Sequence, residues 1–419
     1  MIVTLVYVGI GVAGFNSNRA IGDREGSWIA HGVSLVASSA KQAGYKTNII
    51  DMRQLSGWDD FVSKIKSRPS DVYGLSVSPV DYNNAIKAIY HIKLSVPKAK
   101  IIVGGIYPSI FPEDFALAQV DSVICGEGEI SFVEALKSIE QGEALQKIVR
   151  GKKPNLDELP IVDREMWEYG REMHCNFAPY QKTPSITMLA GRGCPYKCTY
   201  CQPAENSVFG KPFRIRSAEN VVNEMVALHE KYKYKSVTFW DDTFTFSRSW
   251  CSDFADRYEK TGIKANIAAC SRADIICNNE DMIKRLAEVG VNWFVIGLES
   301  GSQRILDLIK KGTTVEQNIR AAEICKKHGI KIFGTYMYGL PTETKEESTA
   351  TYNMIKKISP EHASPFWFNP IKGTDIYTYC KDNDLIIDNK DSKSIARTGV
   401  FDPIIKNVDY EHIKTLMLA

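Results

Sequence analysis

The apolar positions along the first 150 residues fall into two alternating kinds. Short, largely apolar runs, the mark of strands buried on both faces, cover 1–8, 72–78, 100–104 and 122–125, and a further strand is expected at 46–51. Stretches of helical period lie between and after them, at 27–44, 58–66, 83–94, 112–119 and 130–141. Strands alternating with helices at this spacing predict βαβ units and a parallel sheet covered on both faces. Residues 151–184 break the pattern with Pro154, Pro160, Pro179 and Pro184, and read as a linker. A second series follows. Its strands are expected at 185–190, 236–240, 265–270, 293–299, 331–338 and 365–369, and its helices at 218–233, 249–261, 280–289, 315–328 and 345–358. Six β/α units are fewer than the eight of a closed TIM barrel. The expected fold is therefore α/β: a Rossmann-like doubly wound parallel sheet over 1–150, a linker over 151–184, a partial (β/α)6 TIM-type barrel over 185–375 and a short C-terminal extension over 376–419.

Composition narrows the classes of function. Of 419 residues, 44% are hydrophobic and 24% charged, the ordinary range of folded domains, which argues against disorder or a fibrous repeat. A formal net charge of +2 supplies no general drive toward nucleic acid or an anionic membrane. The longest apolar run, 1–14, is too short to span a bilayer and lacks the basic start and small-residue cleavage site of a signal peptide. These features predict a cytoplasmic protein without a membrane span, whose cysteines stay reduced. Seven of the ten cysteines are scattered (Cys125, Cys175, Cys251, Cys270, Cys277, Cys325 and Cys380) and read mainly as small buried hydrophobes.

The other three stand together in Gly191-Arg192-Gly193-Cys194-Pro195-Tyr196-Lys197-Cys198-Thr199-Tyr200-Cys201, a CxxxCxxC spacing directly after the first strand of the second series. Three thiolates on one short loop suit three irons of a [4Fe–4S] cluster and leave the fourth iron open. A zinc site asks for a fourth protein ligand, commonly from a second CxxC pair, and the sequence has no such pair. Cys175 remains a candidate fourth ligand. Placement adds weight, because β/α barrels carry their chemistry at the C-terminal ends of the strands.

This motif, with Tyr200 before its last cysteine and a β/α barrel behind it, resembles the radical SAM superfamily over 185–369. The resemblance implies that the open iron binds the amino and carboxylate groups of S-adenosylmethionine, and that the reduced cluster cleaves it to methionine and a 5′-deoxyadenosyl radical. It also gives the other strand ends roles. Asp241 and Asp242 fall in the segment that meets the amino group, and Arg272 stands where a charge-assisted pair with the carboxylate forms. Glu299, followed by Ser300, is placed to accept from the ribose hydroxyls, and Gly339 opens the segment near the adenine. Relatives often have glycine where this chain has Thr342. Taken singly, an Asp or Arg at a strand end also serves to cap a helix or form a surface ion pair; four in step with the cysteine loop favour a site.

In the first series, residues 9–14 match GxGxxG after a strand. A dinucleotide site needs a helix opening at once and an acid about 20 residues on. Here a polar loop intervenes over 15–25, and Asp51 lies 37 residues past Gly14. The closer resemblance is to the cobalamin-binding-like domain of one radical SAM branch. It rests on Ser76 and Ser78 after the third strand, Gly104, Gly105 and Tyr107 after the fourth, Gly126, Glu127 and Gly128 after the fifth, and the segment 156–163. Small residues at strand ends let the backbone approach a flat, bulky ligand. The chain departs from that branch in lacking the DxHxxG motif after its first strand, in carrying Arg53 in Asp51-Met52-Arg53 where histidine would ligate cobalt, and in having Tyr107 where histidine is frequent.

The resemblance implies cobalamin between the sheet edge and the barrel mouth, and methyl transfer to an unactivated carbon or phosphorus centre. Ring closure or oxidative rearrangement, with or without cobalamin, is the alternative within the branch. Implied partners are a small-molecule or peptide substrate and a low-potential electron donor such as a flavodoxin or ferredoxin, with no nucleic acid. Trp240, Tyr338, Phe366 and Trp367 either line the substrate space or pack the core. An RNA-modifying methylthiotransferase would add cluster cysteines or a basic tail, and a redox sensor would need no S-adenosylmethionine site.

Overall fold

Most strands of the first sheet follow from apolar runs rich in Val, Ile and Leu, whereas Lys46 and Asn48 give the edge strand over 46–51 an exposed polar face. In the computed structural model, which describes residues 1–15, 29–167, 178–211, 213–387 and 403–418, β1 (Ile2–Tyr7), β2 (Lys46–Asp51), β3 (Val72–Ser76), β4 (Lys100–Gly104), β5 (Ser122–Cys125) and β6 (Ile148–Arg150) form one sheet. Its order is β2-β1-β3-β4-β5-β6, and every pairing is parallel. Val3, Val6, Val72, Ile101 and Val103 are fully buried, as strands covered on both faces require. Strand order reverses between β1 and β3, so the loops after these two strands part at a topological switch point. The sixth strand is absent from the predicted pattern. It has three residues, and Ile148 is exposed, so an edge strand leaves no apolar run to read.

Between these strands lie the helices His31–Gln42, Trp58–Ser67, Tyr82–Ser95 and Glu129–Glu140. The single helix expected at 112–119 is instead a helix at Ile106–Ile110 and a 3-10 turn at Pro112–Phe115. Pro112 explains the break, because proline forces the residue before it out of the helical region, and Phe111 has φ −131° and ψ 65°.

Contacts divide the chain into two units, Met1–Phe177 with Ala204–Pro212, and Ala178–Pro203 with Phe213–Ala419. The expected linker is divided: residues 151–167 belong to the first unit, and residues 178–184 to the second. Trp167 is buried and donates from Nε1 to Ser34 Oγ at 2.8 Å, and Lys41 meets Asp163 at 2.5 Å. The helix Ala204–Phe209 also belongs to the first unit, although its sequence follows the cysteine loop.

The second unit opens with β7 (Ser185–Met188), then a small antiparallel pair, β8 (Gly191–Arg192) and β9 (Arg214–Ile215). The large sheet continues with β10 (Ser236–Phe239), β11 (Asn266–Ser271), β12 (Val291–Glu299), β13 (Lys331–Tyr338) and β14 (His362–Trp367). Its order is β14-β13-β12-β11-β10-β7, all parallel, so every strand end opens on the same edge. Several intervening helices start on side-chain caps, whereas Ala273–Asn278 and Glu280–Glu288 do not. Thr314 with Gln317, and Thr344 with Glu347, form reciprocal capping boxes. The described part of the expected tail is folded. Helix Asp375–Asp382 brings Ile376 and Cys380 into a core with Ile305, Ile309, Leu340 and Phe368, joined by Ile404 and Ile405. Among the described residues, no helix is long and apolar enough to cross a membrane.

Candidate active site

The cysteine loop hangs from the first strand of the second sheet, and Asp241 fixes its root. The Asp241 side chain is buried, and its carboxylate accepts the N–H of Ala190 at 3.0 Å and that of Gly191. Burial pushes this carboxyl up to about 7, against the two backbone bonds that favour its charged form. Gly191 is needed where the chain passes β9, because a Cβ there would stand 2.9 Å from Arg214 O. Beyond the root, Thr199 donates its N–H to Ile309 O at 2.9 Å. The start of helix Asp375–Asp382 closes the other side, with Ile376 N–H on Thr199 O at 3.1 Å and Asp375 N–H on Gln202 O at 2.9 Å. Cys194 is half-buried, Cys198 buried and Cys201 exposed. Cys175 lies outside the described residues.

Among the described residues, no three His, Cys, Asp or Glu side chains are gathered to hold a single metal ion. An iron–sulfur cluster asks for a different arrangement, since each thiolate ligates its own iron and the sulfurs ring the cluster instead of converging on a point. Three cysteines on one anchored loop supply that donor set.

The remaining strand ends meet this loop. Arg272, after β11, is buried with its guanidinium 3.5 Å from the centre of the Tyr196 ring. Its Nε donates to Asp274 at 3.0 Å and its Nη2 to Lys311 O at 2.6 Å, and Nη1 lies 4.0 Å from Cys198 Sγ. The arginine expected to meet a ligand carboxylate is thus also a brace for the loop. Glu299, at the end of β12, accepts on Oε1 from Lys311 Nζ at 2.9 Å and from Tyr200 OH at 3.0 Å. Ser300 does not present its hydroxyl at this edge, because the side chain is fully buried 3.3 Å from Thr351 Oγ1. Asp242 is exposed beside Asp241. Gly339 has φ +79° and gives its N–H to Glu343 Oε2 at 2.7 Å. Burial pushes the Glu343 carboxyl up to about 7. Thr342 keeps φ +64°, a region that favours glycine. Of the aromatic candidates, Trp240 is exposed, whereas Tyr338 is buried.

In the first unit, Ser76, Ser78, Gly104, Gly105 and Gly126 are half-buried at the C-terminal edge. Gly105, at φ +103°, lets its chain close on β3, for a Cβ there would stand 2.7 Å from Val77 N. Gly126 gives its N–H to Ser109 Oγ at 2.8 Å. Within 9–14, Gly11 serves local packing: its N–H reaches Asp81 Oδ1 at 2.9 Å, and Asp81 also accepts from Ser78 Oγ at 2.6 Å. Tyr107 is not presented at the edge. It is buried among Tyr82, Phe111 and Phe115, with its hydroxyl 2.6 Å from Asp114. Glu127 is buried, and Gly128 begins the helix Glu129–Glu140. Arg53 is locked to Asp51, with Nε at 2.9 Å and Nη2 at 2.8 Å from its two oxygens.

Sequence reading missed Lys311, Glu343 and the helix Asp375–Asp382. Lys311 lies in the loop after the helix Gln303–Leu308 and belongs to no motif, Glu343 lies in the segment opened by Gly339 without a role of its own there, and the helix sits in a charged stretch whose apolar partners, Ile404 and Ile405, are distant in sequence.

Comparisons with known proteins agree with this geometry. Residues 188–355 match the family model of the radical SAM superfamily, and residues 20–136 that of the B12 binding domain. The chain thus carries a radical SAM domain preceded in sequence by a domain of the B12-binding type. An uncharacterized methyltransferase of Pyrococcus horikoshii is 28% identical over 90% of this chain and 82% of its own length. The anaerobic magnesium-protoporphyrin IX monomethyl ester cyclase of Rubrivivax gelatinosus is 24% identical over 84% of this chain and 66% of its own. Among solved structures, the cobalamin-dependent S-adenosylmethionine radical enzyme OxsB superposes with a TM-score of 0.75 at 17% identity, over 99% of this chain and 65% of that one. That likeness shows the fold.

Proposed function

We propose that this chain is a cobalamin-using radical SAM enzyme that transfers a methyl group to an unactivated carbon or phosphorus centre of a small-molecule or peptide substrate. The observation that carries the reading is the anchored three-cysteine loop at the C-terminal edge of a parallel barrel sheet, in a chain whose first unit is a separate parallel sheet with glycine and serine at its own edge. Cys194, Cys198 and Cys201 would hold the cluster, and Ser76, Ser78, Gly104, Gly105 and Gly126 would lie against cobalamin. Bound there, the cluster supplies the electron that cleaves S-adenosylmethionine, and cobalamin supplies a methyl carrier.

The protein's own groups orient and shield. Asp241 holds the loop root, so the thiols are presented from a fixed backbone. Arg272 braces Tyr196 and retains donor capacity for a ligand carboxylate. Oε1 of Glu299 carries both hydrogen bonds that its carboxylate makes among the described residues, which leaves Oε2 for the ribose hydroxyls. The exposed edge at Asp242 and the Gly339 turn would meet the amino group and the adenine. The core of Ile376, Cys380, Ile404 and Ile405 keeps water from the back of the loop. A low-potential flavodoxin or ferredoxin in the cytoplasm would deliver electrons. Ring closure, as named for the Rubrivivax relative, is the second reading, supported by its similarity over most of this chain.

The test is metal content after anaerobic cluster reconstitution, incubation with hydroxocobalamin and desalting. The reading expects about four irons and one cobalt per chain. Iron without retained cobalt would overturn methyl transfer through cobalamin and favour ring closure. No iron would overturn the radical SAM assignment of the loop.

A further inference from the structure

Lys311 belongs to no motif, yet it is 6% exposed. Lysine is seldom buried so deeply without a partner. Its Nζ donates to Glu299 Oε1 at 2.9 Å and lies 3.3 Å from Tyr200 OH, while its carbonyl accepts from Arg272 Nη2 at 2.6 Å. One residue therefore touches the acid at the end of β12, the aromatic inside the cysteine loop, and the arginine that braces that loop.

The chain gives up stability to build this contact. The pairing of β12 with β13 shifts register between Gly297 and Glu299, a bulge that re-aims the acid. Glu299 adopts φ +61°, an uncommon and costly conformation for a residue with a side chain. Gly297 makes the room, since a Cβ there would stand 2.2 Å from Glu299 Oε1 and 2.8 Å from Lys311 Nζ. A buried ion pair seldom adds net stability over apolar packing. Bulge, backbone strain and two buried charges in one place point to a use other than holding the fold.

We propose that Lys311 is a positioning residue of the iron–sulfur site: it fixes Tyr200 against the cysteine loop, and its ammonium offsets the charge of Glu299 so that the pair sets the cluster's reduction potential. The inference rests on the cluster reading above. Removing the ammonium leaves the carboxylate uncompensated beside a negative cluster and makes it harder to reduce. Removing the carboxylate leaves the ammonium and makes reduction easier.

The experiment uses full-length protein reconstituted anaerobically with iron and sulfide. Dithionite is the reductant, each cluster gains one electron, and no bond breaks. The reduced fraction is read by electron paramagnetic resonance at fixed potentials for the wild type, Lys311→Met, Glu299→Gln and the double variant. At a given potential, the ratio of reduced to oxidised cluster should fall about tenfold in Lys311→Met, equivalent to ~59 mV for a one-electron couple. It should rise about as much in Glu299→Gln and return to within about twofold of wild type in the double variant. Single variants that leave the potential unchanged, or shift it in the same direction, would overturn the inference, because a packing role has no reason to produce opposite signs. Should Lys311→Met take up no iron, the rise expected in Glu299→Gln decides alone. A wild type that forms no cluster overturns the reading of the loop instead.

Discussion

The two parallel sheets have the same number of strands, and each opens its C-terminal ends on one edge, but they furnish that edge in opposite ways. In the first unit the edge is glycine and serine, with close backbone contacts such as Gly105 on Val77 and short local bonds such as Ser78 to Asp81. Of its buried charges, Asp51 and Arg53 pair within three residues, and Asp81 accepts from Gly11 N–H and Ser78 Oγ. In the second unit the edge carries Asp241, Arg272, Glu299, Lys311 and Glu343, all buried and bonded to backbone or to one another. The difference teaches that topology supplies only a place. Small residues leave a surface that a bulky ligand can lie on, whereas buried charges that grip backbone make a rigid frame for a reactive loop.

Removing cysteines separates the two edges most sharply. Cys201→Ala should reduce bound iron after reconstitution to below about a tenth of wild type and abolish S-adenosylmethionine cleavage, while unfolding free energy changes by less than about 1 kcal/mol. Cys125→Ala, in the first unit, should leave iron untouched and cost about 1 kcal/mol, because that thiol is buried with Sγ 3.5 Å from Pro108 O. Iron assay and denaturant unfolding read both. Equal loss of iron in the two variants would break the contrast.

The next effect is steric. At Gly11 a Cβ would meet Val80 O at 2.2 Å and Val80 C at 2.6 Å, both backbone atoms that cannot turn aside. Gly11→Ala should therefore destabilise the first unit by about 2–3 kcal/mol, measured by denaturant unfolding, with the iron content of the folded protein unchanged. A loss below about 0.5 kcal/mol would mean that the backbone at Val80 yields easily to an added methyl group.

Much of this was legible in the sequence because it is periodic or spaced. The strand at 100–104 and the helix at 345–358 have the predicted bounds, since an apolar run and a capping Thr344 mark them in the chain itself. The cysteine loop was legible from spacing alone. Lys311 was not, because its role is made by a register shift at Gly297 and by contacts across 111 residues to Tyr200, neither of which leaves a local pattern. Tyr107 and Ser300 fell at suggestive places after strands, and the structure turns both inward, since a loop's direction depends on what the neighbouring chain already fills. The 375–382 helix was hidden because its partners at 404 and 405 are distant in sequence.

The frame of buried acids also predicts a pH signature for the second unit. Asp241 and Glu343 are each raised to about 7 by burial, from ordinary values of 3.8 and 4.5. The folded protein then holds protons that the unfolded chain releases, so stability is greatest below the unfolded values and is lost as pH rises toward about 7. Glu343→Gln should flatten the fall between pH 5 and 7 by at most about 1.4 kcal/mol per pH unit, seen in denaturant melts across pH. A wild type whose stability rises across that window would contradict the burial of both groups.

The smallest effect concerns a strained residue at the second edge. Thr342 holds φ +64°, which costs a β-branched residue about 1–2 kcal/mol. Arg304 offsets part of that strain. It donates from Nη1 to Thr342 Oγ1 at 3.0 Å and from Nη2 to Thr342 O at 2.8 Å, and it pairs with Glu347 at 2.5 Å. Thr342→Gly removes the strain and one of these bonds, so a net gain of about 0.5 kcal/mol is expected, a rise in Tm of about 1–2 °C. Arg304→Ala should cost about 1 kcal/mol in the wild type and less in the Thr342→Gly variant, because the hydroxyl bond is already gone there. Equal costs in the two backgrounds would show that the arginine acts through Glu347 alone. The frame of the second edge would then rest on its buried acids, with no share carried by this exposed clamp.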